Sequence, residues 1–173
     1  EGSNIRSIYG FMDNIPYYEA NAEGKKVVVI GCGAVGLDVM EFFTLRKAEV
    51  TMIEMMPSFG KDADIVSKST FKELLEKHPV DMHLSTALEK VCPDKFIASH
   101  NGESAEYPFD YGFICMGLVP DIPADNPFET YAKEQGIPFC NFGNSRKTGQ
   151  IIHGTELGRD IVATIDMIGG FDD

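Results

Sequence analysis

The sequence has few of the residue types that build metal and redox sites. Its 173 residues include four cysteines and four histidines. The cysteines, Cys32, Cys92, Cys115 and Cys140, are far apart and form no C-x-x-C pair, which argues against a zinc site and a redox dithiol. The histidines share no short spacing either, so we predict no metal site. We expect buried free thiols, as in a protein of the reducing cytoplasm.

The chain is also short of positive charge and of long apolar runs. It carries 15 Lys and Arg against 27 Asp and Glu, a formal net charge of −12. Nucleic acids and anionic membranes both call for clustered basic side chains, so neither is expected as a partner. No stretch is long and apolar enough to span a membrane, and no G-x-S-x-G elbow supports hydrolase chemistry. The sequence starts at Glu1 without a signal peptide, which is compatible with a fragment or an excised domain.

A glycine motif stands out against this background. Residues 27–30 are four β-branched residues, typical of a strand buried on both faces of a parallel sheet. They lead directly into G-x-G-x-x-G, formed by Gly31, Gly33 and Gly36. The first glycine permits a tight turn, the second lets the backbone approach a pyrophosphate, and the third allows close packing of helix on strand. With the free N–H groups of the following helix, the motif predicts a dinucleotide-binding βαβ unit.

An acidic residue ends the next strand at the distance that this motif requires. Glu54 stands eighteen residues after the third glycine, at the end of the run 49–54. A carboxylate there accepts hydrogen bonds from the adenosine ribose diol and repels a 2′-phosphate, so it favours NAD over NADP. The alternative interpretation is an ordinary exposed acid at a strand end. For Met52, Met55 and Met56 we expect core packing or loop filling rather than an adenine-binding wall.

The remaining pattern indicates an α/β fold in three parts. We expect a lead-in segment at 1–24, a Rossmann-like NAD(H)-binding domain at 25–119 and a C-terminal segment at 120–173. In the middle part, strands alternating with helices predict a parallel sheet, and three short strands, the last two joined by Asn101-Gly102, predict an antiparallel three-stranded β-meander. The predicted strands are 27–30, 49–54, 80–84, 87–91, 95–99, 105–107 and 109–115, and the predicted helices begin near residues 35 and 62.

The C-terminal segment is expected to form a small α/β appendage. Prolines become frequent after Gly117, which is typical of a connector. We predict a short helix at 128–134 and a strand at 138–142. A final helix is predicted by the apolar face of Leu157, Ile161, Ile165 and Ile168, and the pair Gly169-Gly170 would end it.

This order of parts resembles the NADH domain of pyridine nucleotide-disulfide-type flavoproteins, which is inserted into an FAD domain. The resemblance covers about residues 24–168 and includes the exit sequence 115–120 after the meander. Within that group, residues 25–30, 53–57 and 149–155 are most similar to the C-terminal parts of enoate-reductase and 2,4-dienoyl-CoA-reductase-like enzymes. The barrel with FMN and an iron–sulfur cluster that those enzymes carry, and their first FAD-binding glycine motif, are not in this sequence.

The resemblance implies roles for individual residues. It places the NADH pyrophosphate on the glycine loop, the adenosine ribose on Glu54 and the cofactor cleft beside Gly117. The loop residues carried over are Gly31, Gly33, Ala34, Val35 and Gly36. Family members usually have Glu near the nicotinamide where this chain has Asp38, and a helix N-terminal acid interacting with the dipole is the alternative for that residue. They also have Gly-Asp at a flavin ribityl hydroxyl where this chain has Gly143-Asn144, and an ordinary turn is the alternative there.

These inferences together predict an NAD(H)-binding domain of a flavin-dependent oxidoreductase. The domain would position NADH for hydride transfer to FAD, with no side chain of its own acting as acid or base. FAD and the remaining catalytic domains would come from the parent protein, so the isolated chain is not expected to be active alone. The alternatives are a non-redox Rossmann module that binds a nucleotide and a degenerate structural domain. Homo-oligomerisation is left open.

Overall fold

A computed structural model of the chain describes residues 4–61, 63–120, 125–149 and 151–167. The chain divides into two compact units, residues 1–117 and 118–173. The strands are Ile5–Ser7 (β1), Lys26–Ile30 (β2), Glu49–Ile53 (β3), Val80–His83 (β4), Thr86–Val91 (β5), Lys95–His100 (β6), Glu103–Pro108 (β7) and Tyr111–Ile114 (β8). The helices are Ile8–Met12 (α1), Ile15–Asn21 (α2), Ala34–Thr44 (α3), Ile65–Lys77 (α4), Pro127–Gln135 (α5) and Ile151–Met167 (α6).

The first unit is built on a five-stranded parallel sheet with the order β1-β8-β2-β3-β4. Its central strand β2 is buried on both faces, as its β-branched sequence predicts. Val27 and Val29 pack in a core with the helices, whereas Val28 and Ile30 pack in a second core with the meander. This alternation follows from the two-residue period of a strand. The predicted Rossmann-like sheet is therefore confirmed.

The predicted meander is confirmed as a separate antiparallel sheet with the order β5-β6-β7. Asn101 and Gly102 connect β6 to β7 with φ angles of 52° and 84°, as a two-residue turn with both residues left-handed requires. Phe96 and Ala98 of β6 are fully buried against the parallel sheet. The meander thus covers the face of the sheet that the helices leave open.

The lead-in segment expected at 1–24 is instead part of the first unit. Strand β1 pairs with β8 at the edge of the sheet, and the helices α1 and α2 pack on the sheet through Phe11 and Tyr18. The ring of Phe11 lies 5.6 Å from that of Phe113 in β8, and the ring of Tyr18 lies 5.4 Å from the same ring. Aromatic rings at this separation contribute beyond their buried area, so the segment stabilises the sheet.

The second unit is helical in its described part. The predicted short helix is confirmed as α5, which Asn126 caps at its start and Gly136 ends with a φ of +65°. The predicted final helix is confirmed as α6, although Ile168, Gly169 and Gly170 lie outside the described residues. The strand predicted at 138–142 is wrong, because these residues are irregular and the described part of this unit contains no strand to pair with. The C-terminal appendage is therefore not α/β there.

No helix in the described ranges combines the length and the apolar character that crossing a membrane would require.

Candidate functional site

The loops at the carboxyl ends of β2, β3 and β8 surround a cleft of about 520 Å³ in the first unit. Ligands of open α/β sheets bind at this edge. The cleft is lined by residues 31–35 after β2, by Glu54, Met55, Met56, Ser58 and Lys61 after β3, by residues 86–88 at the start of β5, and by residues 115–117 after β8. Three separate parts of the sequence that the motif analysis singled out thus meet in one place.

Close backbone contacts require glycine at two positions of the loop. Gly31 has a φ of +97°, and a Cβ there would lie 2.5 Å from the carbonyl oxygen of Cys115. A Cβ on Gly36 would overlap the carbonyl oxygen of Gly31. Gly33 is the N-cap residue of α3, so the first N–H groups of that helix have no partner inside the helix and lie at the cleft. The loop therefore offers a backbone cradle of the kind that holds a phosphate.

Glu54 is held against the glycine loop by its own carboxylate. One oxygen, Oε2, accepts a hydrogen bond from the backbone N–H of Cys32 at 2.7 Å, and the other, Oε1, accepts one from the N–H of Met56 at 2.8 Å. Each carboxylate oxygen has a second lone pair. Glu54 can therefore hold the loop and still accept a hydrogen bond from a ligand hydroxyl in the cleft. It is half-buried, so the interpretation as an ordinary exposed acid does not describe it.

A second contact fixes the next peptide unit of the loop, through the carbonyl of the same residue, and sequence reasoning missed it. The carbonyl oxygen of Cys32 accepts a hydrogen bond from the N–H of Gly60 at 2.7 Å. Gly60 has a φ of +67°, so the turn that presents its N–H suits glycine. The signal in the sequence is the Pro57-Ser58-Phe59-Gly60 turn, but its partner cannot be read from spacing.

Of the other two residues predicted near the nucleotide, Gly117 lines the cleft and Asp38 does not. Gly117 lines the cleft with a φ of +92°. Asp38 does not line it and lies on the exposed side of α3. It is the fifth residue of that helix, whose first turn contains no acid, so a role as a helix N-terminal acid is wrong, because the dipole acts within the first turn. Desolvation raises the pKa of Asp38, opposite to the effect of a helix N-terminus.

Gly143 and Asn144 belong to the second unit. Gly143 has a φ of +68° and opens a short 3-10 helix, Gly143–Ser145. The side-chain oxygen of Asn144 accepts a hydrogen bond from the backbone N–H of Gly149 at 3.1 Å. This contact gives Asn144 a role in holding its own turn.

The sulfur residues divide between the core and the cleft. Met52 is fully buried, as expected, whereas Met55 is 71% exposed and lines the cleft. Cys32 and Cys115 are buried free thiols, and burial raises their pKa values to about 12 and about 11. Both stay protonated near neutral pH, which argues against a nucleophilic role.

The expectation of buried thiols fails for the other two cysteines. Cys92 is half-buried and Cys140 is exposed. Both lie in irregular stretches, after β5 and after α5, outside the two cores. Among the described residues no group of His, Cys, Asp and Glu could hold a metal ion.

A family profile described as pyridine nucleotide-disulphide oxidoreductase matches residues 7–139. The chain belongs to this family. An NADH oxidase of Methanocaldococcus jannaschii is 27% identical over 170 residues, which cover 96% of this chain and 36% of that protein. A bilirubin reductase of Mediterraneibacter gnavus is 26% identical over 122 residues, which cover 70% of this chain and 19% of that protein. The chain thus spans about a third or less of the length of these relatives.

The fold is also similar to that of a solved protein structure. Histamine dehydrogenase from Rhizobium sp. 4-9 superposes with a TM-score of 0.72 at 15% identity, covering 92% of this chain and 26% of that one. At this identity the likeness shows the fold alone. The pyridine nucleotide in the family's description and the NADH oxidase among the relatives agree with the predicted cofactors. The relatives give no support to a non-redox module or a degenerate structural domain.

Proposed function

We propose that the first unit binds NADH as part of a flavin-dependent oxidoreductase. The observation that carries the proposal is the joint position of Glu54 and the glycine loop on one cleft, with the Glu54 carboxylate bonded to the backbone N–H of Cys32. A phosphate cradle and a carboxylate at this spacing match the pyrophosphate and the adenosine ribose of a dinucleotide. The cleft volume of about 520 Å³ lies in the range of cofactor sites.

The sheet order gives the bound nucleotide a direction. Glu54 follows β3, the glycine loop follows β2, and Gly117 follows β8, while β3, β2 and β8 are consecutive neighbours in the sheet. With the ribose at Glu54 and the pyrophosphate at the N-terminus of α3, the nicotinamide half extends toward residues 115–117. Met55 and Met56 then lie beside the adenosine end.

Hydride transfer needs the nicotinamide C4 held close to a flavin N5. NADH held by the glycine loop and Glu54 would supply a hydride, which carries two electrons and a proton, to the flavin of the complete enzyme. We assign no acid or base to this chain, because its residues supply position and electrostatics. The FAD and its remaining protein contacts belong to the parent protein, and Gly143 and Asn144 would contribute to that site only in the complete enzyme.

The substrate class follows from the finer resemblance. We place the parent protein among flavin-dependent reductases similar to enoate reductases, supported by residues 25–30, 53–57 and 149–155 and by the bilirubin reductase among the relatives. An oxidase is the competing expectation, because an NADH oxidase matches 96% of the chain. The complete parent polypeptide distinguishes the two: without oxygen, a reductase oxidises NADH only when an enoate such as cinnamate is added, whereas an oxidase requires dioxygen.

The nucleotide role is tested by calorimetric titration of the 173-residue chain with NADH and with NADPH. We expect NADH to bind more tightly, because the Glu54 carboxylate repels a 2′-phosphate. Glu54→Gln removes the charge and keeps one acceptor oxygen. Hydrogen bonds to a charged group contribute about 1.5–3 kcal/mol, so the variant should lose roughly tenfold or more in NADH affinity and lose the preference over NADPH.

Glu49→Gln is the matched control, since Glu49 is exposed at the opposite, amino end of the same strand. It should bind both nucleotides as the wild type does. Unchanged nucleotide preference in Glu54→Gln would contradict the role of the carboxylate. Binding of neither nucleotide by the wild-type chain would contradict the nucleotide role of this unit.

A further inference from the structure

The turn after β3 brings a lysine to the phosphate end of the cleft. Gly60 is bonded to the carbonyl oxygen of Cys32 inside the glycine loop, and Lys61 is the next residue. Consecutive Cα atoms lie about 3.8 Å apart, so the backbone of Lys61 starts beside the glycine loop. Glu54 is bonded to the same loop one peptide unit earlier, through the N–H of Cys32.

Lys61 also lines the cleft. Among the described residues that line the cleft, Lys61 is the only basic one and Glu54 is the only acidic one. The chain as a whole carries a formal charge of −12. A dinucleotide with two pyrophosphate charges is repelled by such a protein at long range, so a local cation at the loop has a specific electrostatic task.

We propose that Lys61 is a specificity-determining residue that pairs with the pyrophosphate of the bound dinucleotide and distinguishes dinucleotides from uncharged nucleosides. This inference rests on the proposed nucleotide role of the cleft. The backbone N–H groups at the start of α3 provide dipoles, while the Lys61 ammonium provides a full charge with three donors. Its exposure allows the flexible stem to reach the phosphates from the open side of the cleft.

The alternative position for the ammonium is the 2′-phosphate of NADPH, and the two positions predict different variant behaviour. A contact to the pyrophosphate affects every ligand that contains it, whereas a contact to the 2′-phosphate affects NADPH alone. The Cys32–Gly60 hydrogen bond favours the pyrophosphate, because the Cys32 carbonyl shares its peptide unit with the N–H of Gly33, the N-cap residue of α3.

The test titrates the full chain and its Lys61→Gln variant with NADH, NADPH, ADP-ribose and adenosine. We expect the variant to lose roughly three- to tenfold in affinity for NADH, NADPH and ADP-ribose alike, as is typical of one exposed charge contact to a phosphate. Adenosine binding should not change. Raising the salt concentration should weaken NADH binding to the wild type more than to the variant. The matched control is Lys72→Gln, on the exposed side of α4 and away from the cleft, which should bind every ligand as the wild type does.

Three other results would overturn the inference, and each can be distinguished from the others. If wild type and Lys61→Gln bind NADH equally, Lys61 has no phosphate role while the proposed function stands. If only NADPH binding weakens, the ammonium contacts the 2′-phosphate instead of the pyrophosphate. If the wild type binds none of the dinucleotides, the proposed function fails and this inference fails with it.

Discussion

Gly36→Ala tests the contact between helix α3 and the glycine loop. The added Cβ would overlap the carbonyl oxygen of Gly31, and a backbone atom cannot move away by changing rotamer. Overpacking costs about 1–3 kcal/mol, and the rigid neighbour places this site near the upper end. Alanine recovers about 1 kcal/mol of helix propensity relative to glycine. We therefore expect a net loss of about 2 kcal/mol in the free energy of unfolding.

Thermal unfolding followed by circular dichroism measures this loss. For a chain of this size, about 2 kcal/mol corresponds to a fall of roughly 4–8 °C in Tm. Because relief of the overlap displaces the start of α3 from the cleft, NADH affinity should fall as well. Gly158→Ala is the control, since Gly158 lies within α6 and a Cβ there meets nothing within 4 Å. It should leave Tm unchanged or raise it. A Gly36→Ala protein with wild-type Tm and wild-type NADH affinity would refute the reasoning.

Two further predictions concern stability in the helices. Thr44→Val should raise the free energy of unfolding by about 1 kcal/mol in urea titrations, because the buried Thr44 hydroxyl has no hydrogen-bond partner among the described residues and valine removes the unpaired group. Hydrogen bonds from Ser67 lower the pKa of Asp64, which caps α4. A lowered pKa in the folded state gives stability at neutral pH that is lost as the pH falls through the folded value. The Tm of Asp64→Ala should therefore lie below that of the wild type near neutral pH and approach it in acid, and a gap independent of pH would contradict this role.

The parts of the fold that could be predicted are determined by residues within a short stretch of sequence. Strand β2 is buried on both faces and is therefore apolar throughout, and the turn at Asn101-Gly102 needs two left-handed residues. Strand β1 has only the residues Ile5–Ser7 and exists because β8 offers an unpaired edge. No local pattern records that pairing. The strand predicted at 138–142 is wrong for the opposite reason: the local pattern is present, but a strand forms only beside a partner strand.

In the candidate site, too, locally determined residues could be predicted and residues brought in by distant contacts could not. Gly31, Gly36 and Glu54 were predictable, because tight backbone contacts and the strand end fix their spacing along one βαβ unit. Lys61 and the start of β5 were not predicted as cleft residues, because they reach the cleft through the turn at Gly60 and through the meander. For Asp38 the start of α3 at Ala34 excludes the alternative of a helix N-terminal acid, because it leaves Asp38 outside the first turn, and the place near the nicotinamide stays a prediction.

The backbone of Cys32 connects the loops that the proposed site depends on. Its N–H donates to Glu54 after β3, and its carbonyl accepts from Gly60 in the following turn. With both groups bonded, the glycine loop is fixed before any nucleotide arrives, which lowers the ordering cost of binding. In the proposed function Glu54 acts in two ways, as an acceptor for the ribose and as a support for the loop. Glu54→Ala removes both actions, whereas Glu54→Gln keeps one acceptor, so NADH affinity should fall further in the alanine variant than in the glutamine variant.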